Sequence, residues 1–182
     1  MHINCCNANG PRAFAMIPQF AYQVQDDCVR GNFYAPSEAE LVLPGKKPVR
    51  LKQTTDYPRT DQIEIEVDPA KETAFTIALR IPAWSKIAVV SVNGQPQDGV
   101  LQGAYLPVNR KWKKGDRITV KLDLRARLVE RNQAQAIVRG PIVLARDSRF
   151  GDGFVDEASV VVSKDGYVAL TPVKAPGFAW LA

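Results

Sequence analysis

The sequence predicts a mainly β protein: a β-sandwich of jelly-roll-like type with one N-terminal helix and a second, partial β unit. Three observations predict this fold. From about residue 30 onward, short segments alternate apolar and polar side chains, as strands with one buried and one solvent-facing side do. Turn-forming pairs such as Asn93-Gly94 separate these segments. Helical spacing of apolar residues occurs near the N-terminus alone, so two packed sheets are favoured over an α/β arrangement.

The predicted helix covers about residues 11 to 24. Asn9 or Gly10 would cap it, and Pro11 would lie in its first turn, where a backbone N–H is not needed. Apolar residues recur at spacings of three and four, at Phe14, Ile17, Phe20 or Ala21, and Val24. Pro18 predicts a bend. Because one face is apolar, we expect the helix to dock on the β-domain or on a second copy of the chain.

The strands of the first β unit are predicted from alternation between turn signals. They are Ala39 to Leu43, Val49 to Thr55, Ile63 to Val67, Phe75 to Ile81 and Ile118 to Leu124. A second unit begins near Leu128, with strands predicted at Ala136 to Ala145, Ser159 to Ser163 and Tyr167 to Leu170. A polar loop that includes the acidic stretch Asp147 to Glu157 interrupts this unit. A solvated loop is the simplest interpretation of that stretch, because its spacing does not match a calcium-binding loop.

Composition and charge exclude several classes of function. The 182 residues carry a net charge of +5, but the basic residues are scattered and form no concentrated stripe, which argues against nucleic-acid binding. No apolar run is long enough to cross a membrane. The single histidine, His2, argues against a Ser-His-Asp or Cys-His mechanism. No phosphate-binding loop or dinucleotide motif is present. The sequence does not indicate a cellular compartment.

The cysteines are the first candidates for chemistry. Cys5 and Cys6 are adjacent, and a relaxed disulfide between neighbouring residues is geometrically unfavourable, so metal ligation or thiolate chemistry are the alternatives. The predicted helix start would place both thiols in a loop next to amide dipoles that lower a thiol pKa. Cys28 is expected to be a small buried apolar residue.

Aromatic residues are the second candidates, because carbohydrate-binding sandwiches present flat side chains for stacking. Tyr57 and Trp112 are the candidate substrate-binding residues, with Trp84 and Tyr105 as further aromatics. Core packing is the competing role for Trp84, and bracing a hairpin is the competing role for Trp112. Tyr57, in an Asp-Tyr-Pro turn, is predicted to be the most exposed.

The segment Cys5-Cys6-Asn7-Ala8-Asn9-Gly10 resembles the cysteine-pair motif of glycoside hydrolase family 127, the β-L-arabinofuranosidases and their relatives. Later segments resemble, in order and spacing, the β-domain that follows the catalytic barrel in that family. They are Tyr34 to Ala39, Thr55 to Pro58, Leu79 to Trp84, Val92 to Gly94, Trp112 to Asp116 and Arg139 to Pro141. The resemblance covers roughly residues 5 to 147. No single segment is specific, but together they identify the family.

The resemblance implies an (α/α)6 barrel, a zinc ion held by one glutamate and three cysteines, and a cysteine nucleophile. By position the nucleophile would be Cys5, and Cys5 and Cys6 would both be zinc ligands. The remaining ligands and the acid/base glutamate lie upstream of the pair in the family. We therefore expect a C-terminal portion of such an enzyme, with residues 1–25 a remnant of the barrel, 26–127 a β-sandwich and 128–182 an incomplete β domain. Such a chain is expected to bind no zinc tightly and to be inactive alone.

Three functions follow from the sequence. The first is the accessory β-portion of a retaining glycoside hydrolase acting on L-arabinofuranosides or related plant glycans. The second is an independent carbohydrate-binding module. The third is a structural or interaction sandwich that forms a homodimer through the N-terminal helix.

Overall fold

The computed structural model describes residues 5–132, 134–145 and 160–170. The chain divides into two compact units, Met1–Asp123 and Leu124–Ala182. His2, the acidic stretch Asp147 to Glu157 and the C-terminal residues 171–182 lie outside the described residues, as does Ser159. In the described part of the chain, no helix combines the length and hydropathy of a membrane span.

Helix α1 extends over Cys5–Ala21, and strand β1 (Tyr22–Gln25) follows without a loop. The predicted bounds of the helix are therefore wrong at both ends. Pro11 lies inside α1 rather than at its start, and water can hydrogen-bond to the carbonyl that Pro11 leaves free because this turn is exposed. Residues 22–25 alternate in burial and pair with the next strand, so Val24 belongs to β1.

The apolar side of α1 is exposed to solvent. Phe14, Ile17 and Phe20 are 76%, 48% and 55% exposed. The expectation that α1 docks on the β-domain is therefore wrong. The helix leads directly into β1, and Asn32, the residue after β2, donates hydrogen bonds to its last two residues, Phe20 and Ala21. Docking on a second copy of the chain stays a prediction.

Two sheets build the first unit. One has the order β1-β2-β6-β9 and the other the order β3-β4-β5-β10-β7-β8. The strand bounds are β2 (Cys28–Gly31), β3 (Ser37–Leu43), β4 (Lys47–Thr55), β5 (Gln62–Pro69), β6 (Thr73–Arg80), β7 (Val89–Val92), β8 (Gln95–Pro96), β9 (Tyr105–Trp112) and β10 (Asp116–Lys121). Neighbouring strands are antiparallel except for β2 and β6, which are parallel. Each of the five strands predicted for this unit overlaps an observed one.

One hydrophobic core lies between the two sheets. Ile63, Ile65 and Val67 of β5 are buried while the residues between them are half-exposed, as the alternation predicts. They pack with buried residues of the opposite sheet, such as Val29 and Ile77. The prediction of a mainly β protein is confirmed, with the sandwich in the first unit.

A tight turn at Asn93-Gly94 connects β7 to β8. Both residues have positive φ, 50° and 80°, as a two-residue hairpin turn matching the strand twist requires. The Asn93 side chain also reaches β10: its Nδ2 donates to Asp116 Oδ1 at 2.9 Å, and its Oδ1 accepts from Arg117 N at 2.8 Å. The turn is thereby fixed to the neighbouring strand.

The second unit contains a four-stranded antiparallel sheet with the order β13-β12-β11-β14. Its strands are β11 (Ala126–Arg131), β12 (Ala134–Arg139), β13 (Ile142–Val143) and β14 (Tyr167–Val168). The predicted strand from Ala136 to Ala145 is instead a hairpin, because Gly140 has a φ of 56° and Pro141 follows it. Val162 pairs with Val168 through an isolated bridge.

Candidate functional site

The cysteine pair lies in the first turn of α1 rather than in a preceding loop. The helix begins at Cys5 and not near Pro11, so the loop position predicted for the thiols is wrong. The described first turn of α1 contains no acidic residue. Cys28, by contrast, is a half-buried free thiol on β2.

A zinc ion in a protein usually has four ligands from Cys, His, Asp or Glu. Among the described residues, no three such side chains come together. Cys5 and Cys6 supply two ligands at most. The described residues therefore do not fit a complete zinc site on their own.

The C-terminal end of α1 is capped by Asn32, the residue after β2. The Asn32 backbone N–H donates to Ala21 O at 2.9 Å, and its side-chain Nδ2 donates to Phe20 O at 2.9 Å. These carbonyls are among the last four of the helix, which have no intrahelical donor. Asn32 Oδ1 in turn accepts from the Tyr105 hydroxyl at 2.5 Å. The Asn32 side chain thus connects the end of α1 with the start of β9.

A second contact connects β1 with the opposite sheet. Gln53, on β4, is 4% exposed, and its Nε2 donates to the Tyr22 hydroxyl and to Phe33 O. Gln53 Oε1 has no hydrogen-bond partner within the described residues. Because Tyr22 is the first residue after α1, this contact fixes the start of β1.

Tyr34 and Tyr57 form an aromatic pair beside the cap. Their rings meet edge to face, with centroids 6.3 Å apart, and the Tyr34 hydroxyl donates to Arg80 O at 2.8 Å. Burial raises the pKa of both phenols, while the charge of Arg80 opposes the change. Tyr57 is half-buried, whereas Tyr105 is 42% exposed, so Tyr57 is not the most exposed of the candidate aromatics.

Trp112 is a core residue. It is 0% exposed, its Nε1 donates to Phe75 O at 3.0 Å, and the Arg110 guanidinium lies 5.1 Å from the ring centroid. Its ring therefore offers no face on which a sugar could stack, and its contacts fit the bracing role. Trp84 is partly buried and packs against the same core.

Most of the first unit matches a known protein family. The family model for “Beta-L-arabinofuranosidase, GH127 middle domain” matches residues 28–124, from β2 to just beyond β10. Among curated proteins no match was found.

Solved structures give the same family. A GH127 β-L-arabinofuranosidase from Geobacillus stearothermophilus T6 matches 76% of this chain with 29% identity and a TM-score of 0.71. A structure described as a glycoside hydrolase has 30% identity and a TM-score of 0.72, also over 76% of this chain. A GH127 β-arabinofuranosidase has 34% identity and a TM-score of 0.70 over the same share. The chain spans 23%, 24% and 25% of these three proteins. The match of the middle-domain model to more than half of the residues shows that this chain belongs to glycoside hydrolase family 127.

Proposed function

We propose that this chain is the β-sandwich portion of a retaining glycoside hydrolase that acts on L-arabinofuranosides or related plant glycans. The observation that carries the proposal is the match of β2 to β10 to the middle domain of this family. The share of the solved relatives that this chain spans, about a quarter, supports an accessory portion rather than a whole enzyme. The chain alone is then inactive.

The exposed side of α1 supports the same proposal. Phe14, Ile17 and Phe20 form an apolar row on a helix that the sandwich leaves uncovered. Exposed apolar patches of this kind are typical of interfaces. We assign this row to contact with the catalytic part of the enzyme. A second copy of the chain is the competing occupant, and a concentration-dependent mass of the 182-residue chain in sedimentation would favour it.

The proposed chemistry centres on Cys5, the nucleophile that the family resemblance implies. Its thiolate forms a bond to the anomeric carbon as the glycosidic C–O bond breaks, and an acid group outside this chain protonates the leaving oxygen. Water then attacks the same carbon and gives its proton to the acid group that was deprotonated in the first step, the C–S bond breaks, and two inversions retain the configuration. Zinc, when bound, supplies positive charge that keeps a coordinated thiol deprotonated. Cys5 and Cys6 are the residues of this chain that would contact it.

The proposal is tested in a longer protein that carries the upstream region found in the relatives. We expect this protein to hydrolyse an aryl β-L-arabinofuranoside and Cys5→Ser to reduce kcat by about 10³-fold or more, because the hydroxyl is a far weaker nucleophile. Cys28→Ser is the matched control, since Cys28 is a free thiol on β2, and it should retain activity. Zinc content by mass spectrometry should fall in Cys6→Ser.

Two results would count against this assignment. One is turnover by the 182-residue chain alone, because the chain would then need no further catalytic residues. The other is a Cys5→Ser variant with the activity of the parent protein, which would remove Cys5 from the reaction.

Tyr57 is the remaining candidate for a direct carbohydrate contact. It is half-buried, its ring contacts Tyr34 edge to face, and its backbone N–H donates to Thr55 Oγ1 at 2.9 Å, which fixes the turn that carries it. We expect Tyr57→Ala to weaken binding of arabinofuranose oligosaccharides about tenfold in calorimetry, as the loss of one stacking contact does. Tyr57→Phe, which keeps the ring and loses the hydroxyl, serves as the control and should keep most of the affinity. Equal binding by Tyr57→Ala and the parent chain would eliminate this role.

A further inference from the structure

We propose that Asn32 and Tyr105 are positioning residues that fix the direction of α1 relative to the sandwich and thereby the location of Cys5. The hydrogen bonds of the cap support the first part of this proposal, that the two residues fix α1. The second part, the effect on the position of Cys5, extends the proposed function and rests on it.

The junction between α1 and the sheet has no loop. Ala21 ends the helix and Tyr22 begins β1, so the helix direction depends on the backbone dihedral angles at this point. Tyr22 pairs with Gly31 in the β1–β2 register, which places Asn32 directly beside the junction. From there Asn32 donates to both Phe20 O and Ala21 O. Two hydrogen bonds from one residue to successive carbonyls restrict rotation of the last turn more than a single bond would.

Tyr105 holds Asn32 from the opposite edge of the same sheet. Tyr105 begins β9, where it pairs with Arg80 of β6, and β6 separates β9 from β2. Its hydroxyl reaches Asn32 Oδ1 at 2.5 Å, which orients the amide so that Nδ2 faces the helix. The neighbouring residue Leu106 is 5% exposed and belongs to the core. The cap therefore rests on the rigid part of the sandwich.

The length of α1 makes its direction important. A helix of 17 residues is about 25 Å long. A tilt of about 10° at the cap would move the first turn, which carries Cys5, by about 4 Å along an arc of that radius. Misplacement of a reacting group by about 1 Å can reduce a rate about 10²-fold. A small change at Asn32 is therefore expected to affect the reaction without any contact between Asn32 and the sugar.

The first test uses the 182-residue chain and hydrogen exchange measured by mass spectrometry. Tyr105→Phe removes one hydroxyl and keeps the ring, and Asn32→Ala removes the amide. We expect amides in the last two turns of α1 to exchange about fivefold faster in Tyr105→Phe and faster still in Asn32→Ala, while β6 and β10 stay unchanged. Asn109→Ala, at an exposed position of β9, is the control. Exchange of α1 at the parent rate in both variants would overturn the proposal.

The second test uses the longer protein and separates positioning from simple stabilisation. Because neither residue is proposed to touch the sugar, we expect kcat to fall about tenfold in Asn32→Ala, with KM within about twofold of the parent value. An unchanged kcat, or a loss expressed in KM alone, would overturn the link to Cys5. If the longer protein hydrolyses no arabinofuranoside, the proposed function fails, while the exchange measurement still decides whether Asn32 and Tyr105 fix α1.

Discussion

Trp112→Ala is expected to lower the free energy of unfolding of the first unit by about 3–5 kcal/mol, the largest loss that we expect from one side chain of this protein. Within the described part of the chain, Trp112 is the largest fully buried side chain. Its removal would leave a cavity between the sheets and would also leave Phe75 O without the indole donor that now lies 3.0 Å away.

The surroundings of Trp112 explain why the site could not collapse easily. Phe75 packs against the indole with ring centroids 5.9 Å apart. Arg110, two residues before Trp112 on β9, covers the ring with its guanidinium. Both neighbours are fixed by the β6–β9 pairing, in which Thr73 is opposite Trp112 and Phe75 is opposite Arg110. Because these neighbours cannot move into the cavity, the loss of free energy of unfolding should approach the upper end of the 3–5 kcal/mol range, about 5 kcal/mol.

Urea unfolding followed by circular dichroism would measure the effect. Trp84→Ala is the matched control, because Trp84 is only partly buried and should cause a smaller loss. Trp112→Phe should recover part of the stability, since it refills most of the space without restoring the hydrogen bond. A loss below about 1 kcal/mol for Trp112→Ala would contradict the bracing role.

Periodicity predicted the sandwich because its strongest strands alternate over many residues. In β5 the sequence Ile63-Glu64-Ile65-Glu66-Val67 places three apolar side chains in the core and two charged ones toward solvent, as observed. Shorter strands carry less of this signal. Residues 22–25 contain two alternating pairs only, so the preceding helical spacing extended the predicted helix through them.

The start of α1 was mispredicted for a local reason. Pro11 is most common in a first helical turn, and the Asn9-Gly10 pair before it has the character of a cap. In the structure the same proline lies within an exposed helix, where solvent can satisfy the freed carbonyl. The prediction placed Pro11 in the first turn of a helix, where proline is most common. In the structure Pro11 lies further inside the helix, where proline is less common.

The cap of α1 could not be predicted from local sequence. Asn32 contacts Phe20, Ala21 and Tyr105, and the last of these lies 73 residues away along the chain. No spacing rule connects an asparagine after one strand to a tyrosine at the start of another. Gln53 and Tyr22 present the same difficulty, because they belong to different sheets. The cysteine pair became a candidate because Cys5 and Cys6 stand in a local motif that resembles the one in this family.

Asp116→Asn is expected to lower the free energy of unfolding by about 2–3 kcal/mol at neutral pH, the range for charged hydrogen bonds lost in the protein interior. Asp116 is 3% exposed and begins β10, just after the turn that leads from the β9 sheet to the β10 sheet. Its Oδ2 accepts from Lys113 N at 3.0 Å, and its Oδ1 accepts from Asn93 Nδ2 at 2.9 Å. The Asn side chain would have an NH₂ group in place of one carboxylate oxygen. That group would face either Lys113 N–H or Asn93 Nδ2, and neither can accept its hydrogen bond.

The same contacts predict the pH dependence of the effect. Burial by itself raises the pKa of Asp116, but the hydrogen bonds from Lys113 and Asn93 and the charges of Arg110 and Lys113 outweigh it and lower the pKa. A carboxyl whose folded pKa is depressed contributes stability that is present above its unfolded pKa of about 4 and is lost as the pH falls through the folded value. The difference between the parent chain and Asp116→Asn should therefore be largest at neutral pH and shrink below about pH 4.

Urea unfolding at a series of pH values would test this dependence, with Asp98→Asn, at an exposed position, as the control that should match the parent chain throughout. A difference between the parent chain and Asp116→Asn that stays constant from pH 7 to about pH 2 would show that the shape of the side chain matters and its charge does not. A shrinking difference would instead identify the ionised carboxylate as the group that stabilises the crossing between the two sheets. Because Asn93 and Lys113 belong to different turns, that result would also mean that one buried charge holds two loops of the sandwich together.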